Sequence, residues 1–441
     1  MRLQVGELLR RVDAQLPVGA PDSAFEGAFV DSRAPVEGAL FVGLRGELAD
    51  GGQHAPEALR DGAGAALVGE SAWFWIEGEA QLLRRPIIVA KDPLAVLQEA
   101  GRMALEASGA TVVGITGATG KTTTKDILLA MLRAAGAVAE GTPGNMNTEI
   151  GVPLTLCGLP AGLDVAVVEM GMRGPGQIRE LTELAPPDVA CITSIGPVHL
   201  ELLGSVEAVA DAKAEIIAAL RPGGTAVVPD GEPLLDLHLT RLEPGVEVVR
   251  FGDAPDIDLD LGSLAKAWQL RNAAAALACC RAVGHAPEPG TRVEVQLSAM
   301  RGQEEALAGE GVLIEDCYNA NPMAMRAALA DLAARSGRRV AVLGDMMELG
   351  EDEASYHRQV GELAAELGID LLIAVGERAG GYADGADGVR TLRFATVDEA
   401  VAAVPAELLP GDAVLLKGSR SMELERVAAA IRSGEVGCPG S

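Results

Sequence analysis

VVGITGATGKTTTKD, residues 112–126, decides how the rest of the chain is read. Residues 112–115 form a short, largely β-branched run, residues 117–120 are too rich in glycine for regular structure, and Lys121 onward has helical spacing. Strand, loop and helix in that order make a device for holding an anion. Backbone N–H groups of Gly117, Ala118, Thr119 and Gly120 turn inward, with the helix N-terminus behind them. Lys121 would reach outer phosphates, and the hydroxyls of Thr122 and Thr123 follow, that of Thr122 placed for Mg²⁺. The glycines leave room for phosphate oxygens where a Cβ would stand. A strict phosphate loop has glycine where this chain has Ile115, so the motif is Gly117-x-x-Gly120-Lys121-Thr122. Taken alone, the stretch indicates a nucleoside triphosphate.

At 441 residues the chain has length for roughly three domains. Its net charge of −27 disfavours nucleic acid and anionic membrane as partners, and 3% aromatic content offers no stacking platform for single strands. No apolar stretch is long enough to cross a bilayer, and MRLQVGELLRRVDAQL at the N-terminus mixes charges with apolar residues at helical spacing, so it lacks the core of a signal peptide. Cys157, Cys191, Cys279, Cys280, Cys317 and Cys438 show no metal-ligand spacing. The expectation is a cytoplasmic protein without disulfides.

The chain changes character twice, near residues 83 and 302, which gives expected domains of 1–83, 84–302 and 303–441. GALFVGLRG and GAGAALVG are strand candidates in the first. In the second, DVAVVEMG, DVACITSIG and GTAVVP alternate with helical segments such as residues 206–220. In the third, GVLIEDCYNANP, RRVAVLGDM, DLLIAVG and DAVLLKGSR do the same, with a last helix from Met422. The fold class is α/β, with a parallel sheet around the phosphate loop and a second, Rossmann-like sheet after it.

Ligands in such sheets lie beyond the carboxyl ends of the strands. Glu169 ends a buried run there, where a carboxylate needs a cation or hydrogen-bond donors; it reads as a Mg²⁺ ligand or as a helix cap. His199 reads as a second metal ligand or a loop histidine, and Lys213, on residues alone, as a solvated helix lysine.

GATGKTTTKD, GNMNTEIGVPLTL, VVEMGMRGPGQI, GPVHLELLGSVEAVADAKAEI, MRGQ, EDCYNANP, GDMMELG and KGSRSMELE together resemble the Mur ligases. Within them, the sequence is similar to the branch that joins D-alanyl-D-alanine to UDP-N-acetylmuramoyl-tripeptide in peptidoglycan synthesis. DSRAPVEGALFVGLRGELADG resembles that family's uridine-nucleotide domain. The resemblance implies ATP-dependent amide formation through an acyl phosphate, by a monomer. It further implies that Thr122 and Glu169 hold one Mg²⁺, that His199 holds a second, and that Lys213 carries a CO₂-derived carbamate which serves as a ligand. Asn272 would lie near adenine, Arg301 near the phosphates and Asp316 near the ribose. Asn319, Asn321, Lys417, Ser419 and Arg420 would position the dipeptide, and Ser32 and Arg33 the uridine nucleotide; a turn with a solvated Arg33 is the plainer reading of that pair.

Two departures stand out. Trp268 and Gln269 occupy positions where the family has His-Asn, so Trp268 would stack on adenine and Gln269 offer it an amide. The segment 250–270 is also short. Three readings stand: this ligase; a related amide ligase that adds diaminopimelate or extends folate with glutamate; or an ATP-binding paralogue without ligation.

Overall fold

The computed structural model describes residues 1–434, so Cys438 lies outside the described residues. Among the described residues three sheets of five or six strands carry the chain, beside a two-stranded pair of Arg2–Gln4 with Ala24–Glu26. The first has the strand order Ala14–Val18, Ile87–Ala90, Ala65–Gly69, Leu40–Gly43, Ala28–Phe29, antiparallel only in its first pair. Ile87–Ala90 therefore belongs to the N-terminal sheet, and a break at residue 83 falls one strand too early. Each of its four residues is buried and paired in register with Ala66 to Gly69, a contact that composition does not reveal. The following helix, Pro93–Ser108, also turns Val96, Leu97 and Ala100 into the N-terminal core.

The second sheet is parallel throughout, ordered Glu247–Phe251, Thr225–Pro229, Val189–Ile192, Thr111–Thr116, Val165–Glu169, Ala139–Gly141. Its strands read as apolar runs because both faces are covered. Successive residues then serve opposite cores, since side chains alternate across a strand. Val112, Ala166, Val168, Ala190 and Ile192 join one core, shared with the helices Gln177–Leu184 and Val206–Ala218. Val113, Ile115, Val167, Val189 and Cys191 join the other, under the helices Lys121–Ala134 and Ala267–Ala282. Ile115 is a fully buried strand residue paired with Glu169, which explains why the loop begins only at Gly117.

The third sheet runs Gln303–Ala306, Val312–Glu315, Ala413–Lys417, Arg339–Gly344, Leu371–Val375, Arg390–Phe394, antiparallel only in the first pair. The same alternation divides Ala341 and Leu343 from Val340 and Val342. The last helix is Glu425–Ser433, preceded by the short turn Arg420–Met422, so it starts three residues later than the sequence pattern suggests. In both larger sheets the chain reverses its strand order at the centre, and such a switch point leaves a crevice beyond the strand ends. Among the described residues no helix is long and apolar enough to cross a membrane, and Cys157, Cys191, Cys279, Cys280 and Cys317 are free and buried.

Candidate active site

The phosphate loop leaves the central strand Thr111–Thr116 and enters the helix Lys121–Ala134. Gly117 has φ +155°, and a Cβ there would stand 1.9 Å from Thr193 Oγ1. Gly120 has φ +84°, and a Cβ there would meet Asn272 Oδ1 at 2.5 Å. Both close approaches require glycine. They also show what surrounds the loop: the end of a neighbouring strand on one side and Asn272 on the other.

That strand end holds the loop in shape. The N–H of Ala118 donates to Ser194 O and the N–H of Thr119 to Ser194 Oγ, each at 2.9 Å, while Thr193 Oγ1 donates to Thr119 O at 2.5 Å. Two N–H groups expected to face an anion are thus engaged by Ser194. The donors left for phosphate are the N–H groups of Gly117 and Gly120 and those of the first helical turn, which have no partner within a helix. Its N-cap, Gly120, has no side chain to cap them. Lys121 Nζ donates to Gly117 O at 2.8 Å, which lays the ammonium across the loop. Thr123 is buried in the same turn.

Glu169 is 1% exposed at the end of its strand. Its Oε2 accepts from Thr122 Oγ1 at 2.9 Å and its Oε1 from Asn147 Nδ2 at 2.7 Å, while its N–H donates to Thr142 Oγ1. Among the described residues no helix is capped by it, so that alternative falls away. Arg301 reaches the same threonine: Nη2 donates to Thr122 Oγ1 at 3.2 Å, and its Cζ stands 3.8 Å from the ring centroid of Tyr318. Among the described residues its Nε is buried without a partner.

Lys213, on the helix Val206–Ala218, is only 2% exposed, which overturns the reading of a solvated lysine. Burial, reinforced by the like charge of Lys121, pushes its ammonium well below its ordinary value. Burial lowers Lys121 too, with Glu169 opposing the shift and Arg301 adding to it. A buried amine faced by another cation tends toward its neutral, nucleophilic form.

His199 follows the strand Val189–Ile192 in left-handed backbone, φ 54°. Its Nδ1 is paired with the carboxylate of Glu348 from the C-terminal domain. Among the described residues, no three or more His, Cys, Asp or Glu side chains gather as a metal cluster. The oxygens of Thr122 and Glu169 are hard donors side by side and suit Mg²⁺.

The C-terminal residues are arranged differently. Lys417, 2% exposed, donates from Nζ to Asp316 Oδ2 at 2.6 Å, to Asp316 O at 3.2 Å and to Asn319 O at 3.1 Å. Asn319 Oδ1 accepts from Ala320 N, and Asn321 caps the helix Pro322–Ala333 by accepting from Ala324 N, each at 2.9 Å. Ser419 Oγ accepts from Met347 N, and Arg420 pairs with Glu425. Far from these groups in sequence, Ser32 is half-buried while Arg33 is exposed and bound to Asp31, whose carboxyl that hydrogen bond holds down to about 2.

In the region of the two departures, Gln269 is buried and its Oε1 accepts from Lys266 N at 3.1 Å, closing the start of the helix Ala267–Ala282. One lone pair of that carbonyl serves the cap. Trp268 is half-buried, near Gly302. The short segment forms the end of the strand Glu247–Phe251 and then a lone bridge from Asp260 to Arg292.

Asn147, Thr193, Ser194, Tyr318 and Glu348 were not singled out by sequence reasoning. Thr193 and Ser194 had a signal: they are the polar residues that end a strand beside the loop. The others reach the site from loops, and their signal is that they lie inside the stretches GNMNTEIGVPLTL, EDCYNANP and GDMMELG that carry the family resemblance.

Residues 115–280 match the Mur ligase middle domain, and residues 301–420 match the Mur ligase, glutamate ligase domain. The UDP-N-acetylmuramoyl-tripeptide–D-alanyl-D-alanine ligase of Bacillus subtilis (strain 168) is 32% identical, over 92% of this chain and 93% of its own length. Among solved structures, MurF from Acinetobacter baumannii is similar with a TM-score of 0.83 and 27% identity, over 98% of this chain and 99% of its own. MurF ligase from Thermotoga maritima in complex with ADP has a TM-score of 0.78 and 28% identity, over 92% and 97%.

Proposed function

The chain belongs to the Mur ligase family, and from that premise we propose how its residues join D-alanyl-D-alanine to UDP-N-acetylmuramoyl-tripeptide at the expense of ATP. The observation that carries the reading is the meeting of Lys121, Thr122, Glu169 and Arg301, groups from the central strand ends and from the start of the C-terminal unit, around one phosphate loop. Named relatives with this activity, and a similar structure bound to ADP, support it. The full-length likeness to dipeptide-adding ligases favours this reading over the diaminopimelate and folate enzymes.

The first turn of the helix Lys121–Ala134 binds phosphate oxygens. Lys121 and Arg301 neutralise charge as a carboxylate oxygen of the tripeptide attacks the γ-phosphorus. The new O–P bond forms as the bond to the ADP oxygen breaks, leaving an acyl phosphate. The neutral amine of the dipeptide then attacks the acyl carbon, and the tetrahedral intermediate expels phosphate, which takes up the amine proton. Asn272, fixed against Gly120, would touch the nucleotide from the side opposite Thr193.

The donor set fits Mg²⁺. Thr122 and Glu169 would hold one ion and His199 with a modified Lys213 a second; the ions supply Lewis-acid neutralisation of phosphate and carboxylate oxygens. The neutral Lys213 amine would add to CO₂, forming an N–C bond and releasing a proton, which turns a misplaced cation into an anionic ligand. Its burial beside Lys121 supports this.

We further assign the uridine nucleotide to the N-terminal sheet, ATP to the central sheet and the dipeptide to the C-terminal sheet, with the first break after the helix Pro93–Ser108. A single chain carries all these groups, in keeping with a monomer, and its free cysteines suit the cytoplasm. Phosphate release by the purified protein tests the reaction. Release that needs both UDP-muramoyl-tripeptide and D-Ala-D-Ala, with a product heavier by the dipeptide residue, is expected. ATP binding without release under any combination would leave the non-ligating paralogue.

A further inference from the structure

The loop after the strand Arg339–Gly344 brings the C-terminal domain to His199. Glu348 in this loop has φ 64° and His199 has φ 54°, so two non-glycine residues from different domains are both left-handed where they meet. Such backbone costs energy and persists only where surrounding contacts impose it. Three contacts converge there. The Glu348 carboxylate pairs with His199 Nδ1, its Oε1 faces Arg173 Nε at 3.5 Å, and its backbone carbonyl accepts the N–H of Glu201 at 3.3 Å. From the helix Glu353–Glu366 that follows, Tyr356 packs on the core of the central domain.

Glu348 thus grips the histidine side chain and the backbone just beyond it. A carboxylate accepts only, so pairing with Nδ1 requires the proton to be on Nδ1, and in the neutral ring this leaves the lone pair on Nε2. We propose that Glu348 is a positioning residue: docking of the C-terminal domain fixes the His199 tautomer and ring orientation that bind a divalent cation. This rests on the assignment of His199 as a metal ligand. Metal binding and domain docking are then linked, each strengthening the other by the same factor. Glu348 is placed to make the site complete only when the domain that brings the dipeptide is in contact.

Full-length protein with a non-hydrolysable ATP analogue and Mn²⁺, titrated by the EPR signal of free Mn²⁺, tests this. Glu348→Asn tolerates left-handed backbone but is one carbon too short, and should weaken Mn²⁺ binding at one site by about tenfold. Mn²⁺ should lower the radius of gyration of the wild type, and this variant should abolish that decrease. Glu348→Gln, which still accepts from Nδ1, should stay within roughly threefold of the wild type. Imidazole ¹⁵N shifts of His199, one of five histidines, should show the proton on Nδ1 in the unmodified protein. A proton on Nε2, or unchanged Mn²⁺ affinity in Glu348→Asn beside weakened binding in His199→Ala, overturns the proposal and leaves the metal assignment standing. Unchanged affinity in His199→Ala overturns both.

Discussion

The crevices of the central and C-terminal sheets lie beyond strands of different order, and their electrostatic balances are opposite. At the C-terminal switch point Lys417 is enclosed by three oxygens from Asp316 and Asn319, and the polar groups around it answer one another. At the central switch point buried Lys213 lies near half-buried Lys121, and among the described residues Arg301 Nε has no partner. Both lysines, Lys213 and Lys417, are 2% exposed, so burial alone does not distinguish them. What differs is whether the protein itself supplies the counter-charge. Where it does, the lysine holds the fold; where it does not, the missing charge is expected from a ligand or a modification.

The sharpest way to break that contrast is to remove each lysine while keeping its volume. Lys213→Met should lower ligation by at least on the order of 10²-fold, while the melting temperature holds or rises because an uncompensated buried amine has gone. Steady-state rates and a thermal melt on one preparation decide it; a large loss of stability would mean that Lys213 has an internal partner after all. Lys417→Met should do the reverse. It strands Asp316 and costs about 3 kcal/mol in urea unfolding. An unchanged midpoint would show that the C-terminal cluster is a ligand site rather than a structural one.

These two lysines also mark how far the sequence could be read. The phosphate loop, the buried strands and the family were legible because glycine spacing, apolar runs and ordered motifs are local properties. Lys213 and Lys417 sit in locally ordinary surroundings, a helix and a strand end, and only tertiary packing separates the one facing a cation from the one facing oxygens. The strand Ile87–Ala90 was misplaced for the same reason: its partner, Ala65–Gly69, lies across a helix in sequence. Asn147 and Glu348 arrive through loops, so no periodicity announced them.

A smaller effect concerns the loop that carries Glu348. His357 is fully buried; its Nε2 accepts the N–H of Met346 at 3.0 Å, and Nδ1 meets Glu353 O at 2.8 Å. Burial lowers its pKa from the ordinary 6.5, so the folded protein holds the neutral ring. As pH falls through 6.5 the unfolded chain takes up the proton first, and the stability His357 contributes above that pH is lost. Urea midpoints should therefore fall between pH 7.5 and pH 5.5, by less in His357→Gln than in the wild type; equal falls would remove His357 as the cause. The smallest effect on the fold belongs to Arg33→Ala, since Arg33 and Asp31 are both exposed. Thermal stability should not move, while KM for the UDP substrate rises several-fold with kcat unchanged; an unchanged KM would return Arg33 to the solvent.

The central claim is that the carboxylate of the tripeptide is activated by taking the γ-phosphate of ATP. Tripeptide labelled with ¹⁸O in that carboxylate tests it directly, by mass analysis of the phosphate released during ligation. An acyl phosphate delivers one ¹⁸O to each phosphate, which is the result this account requires; phosphate carrying no label would mean that ATP is hydrolysed by water and that the amide forms by another route.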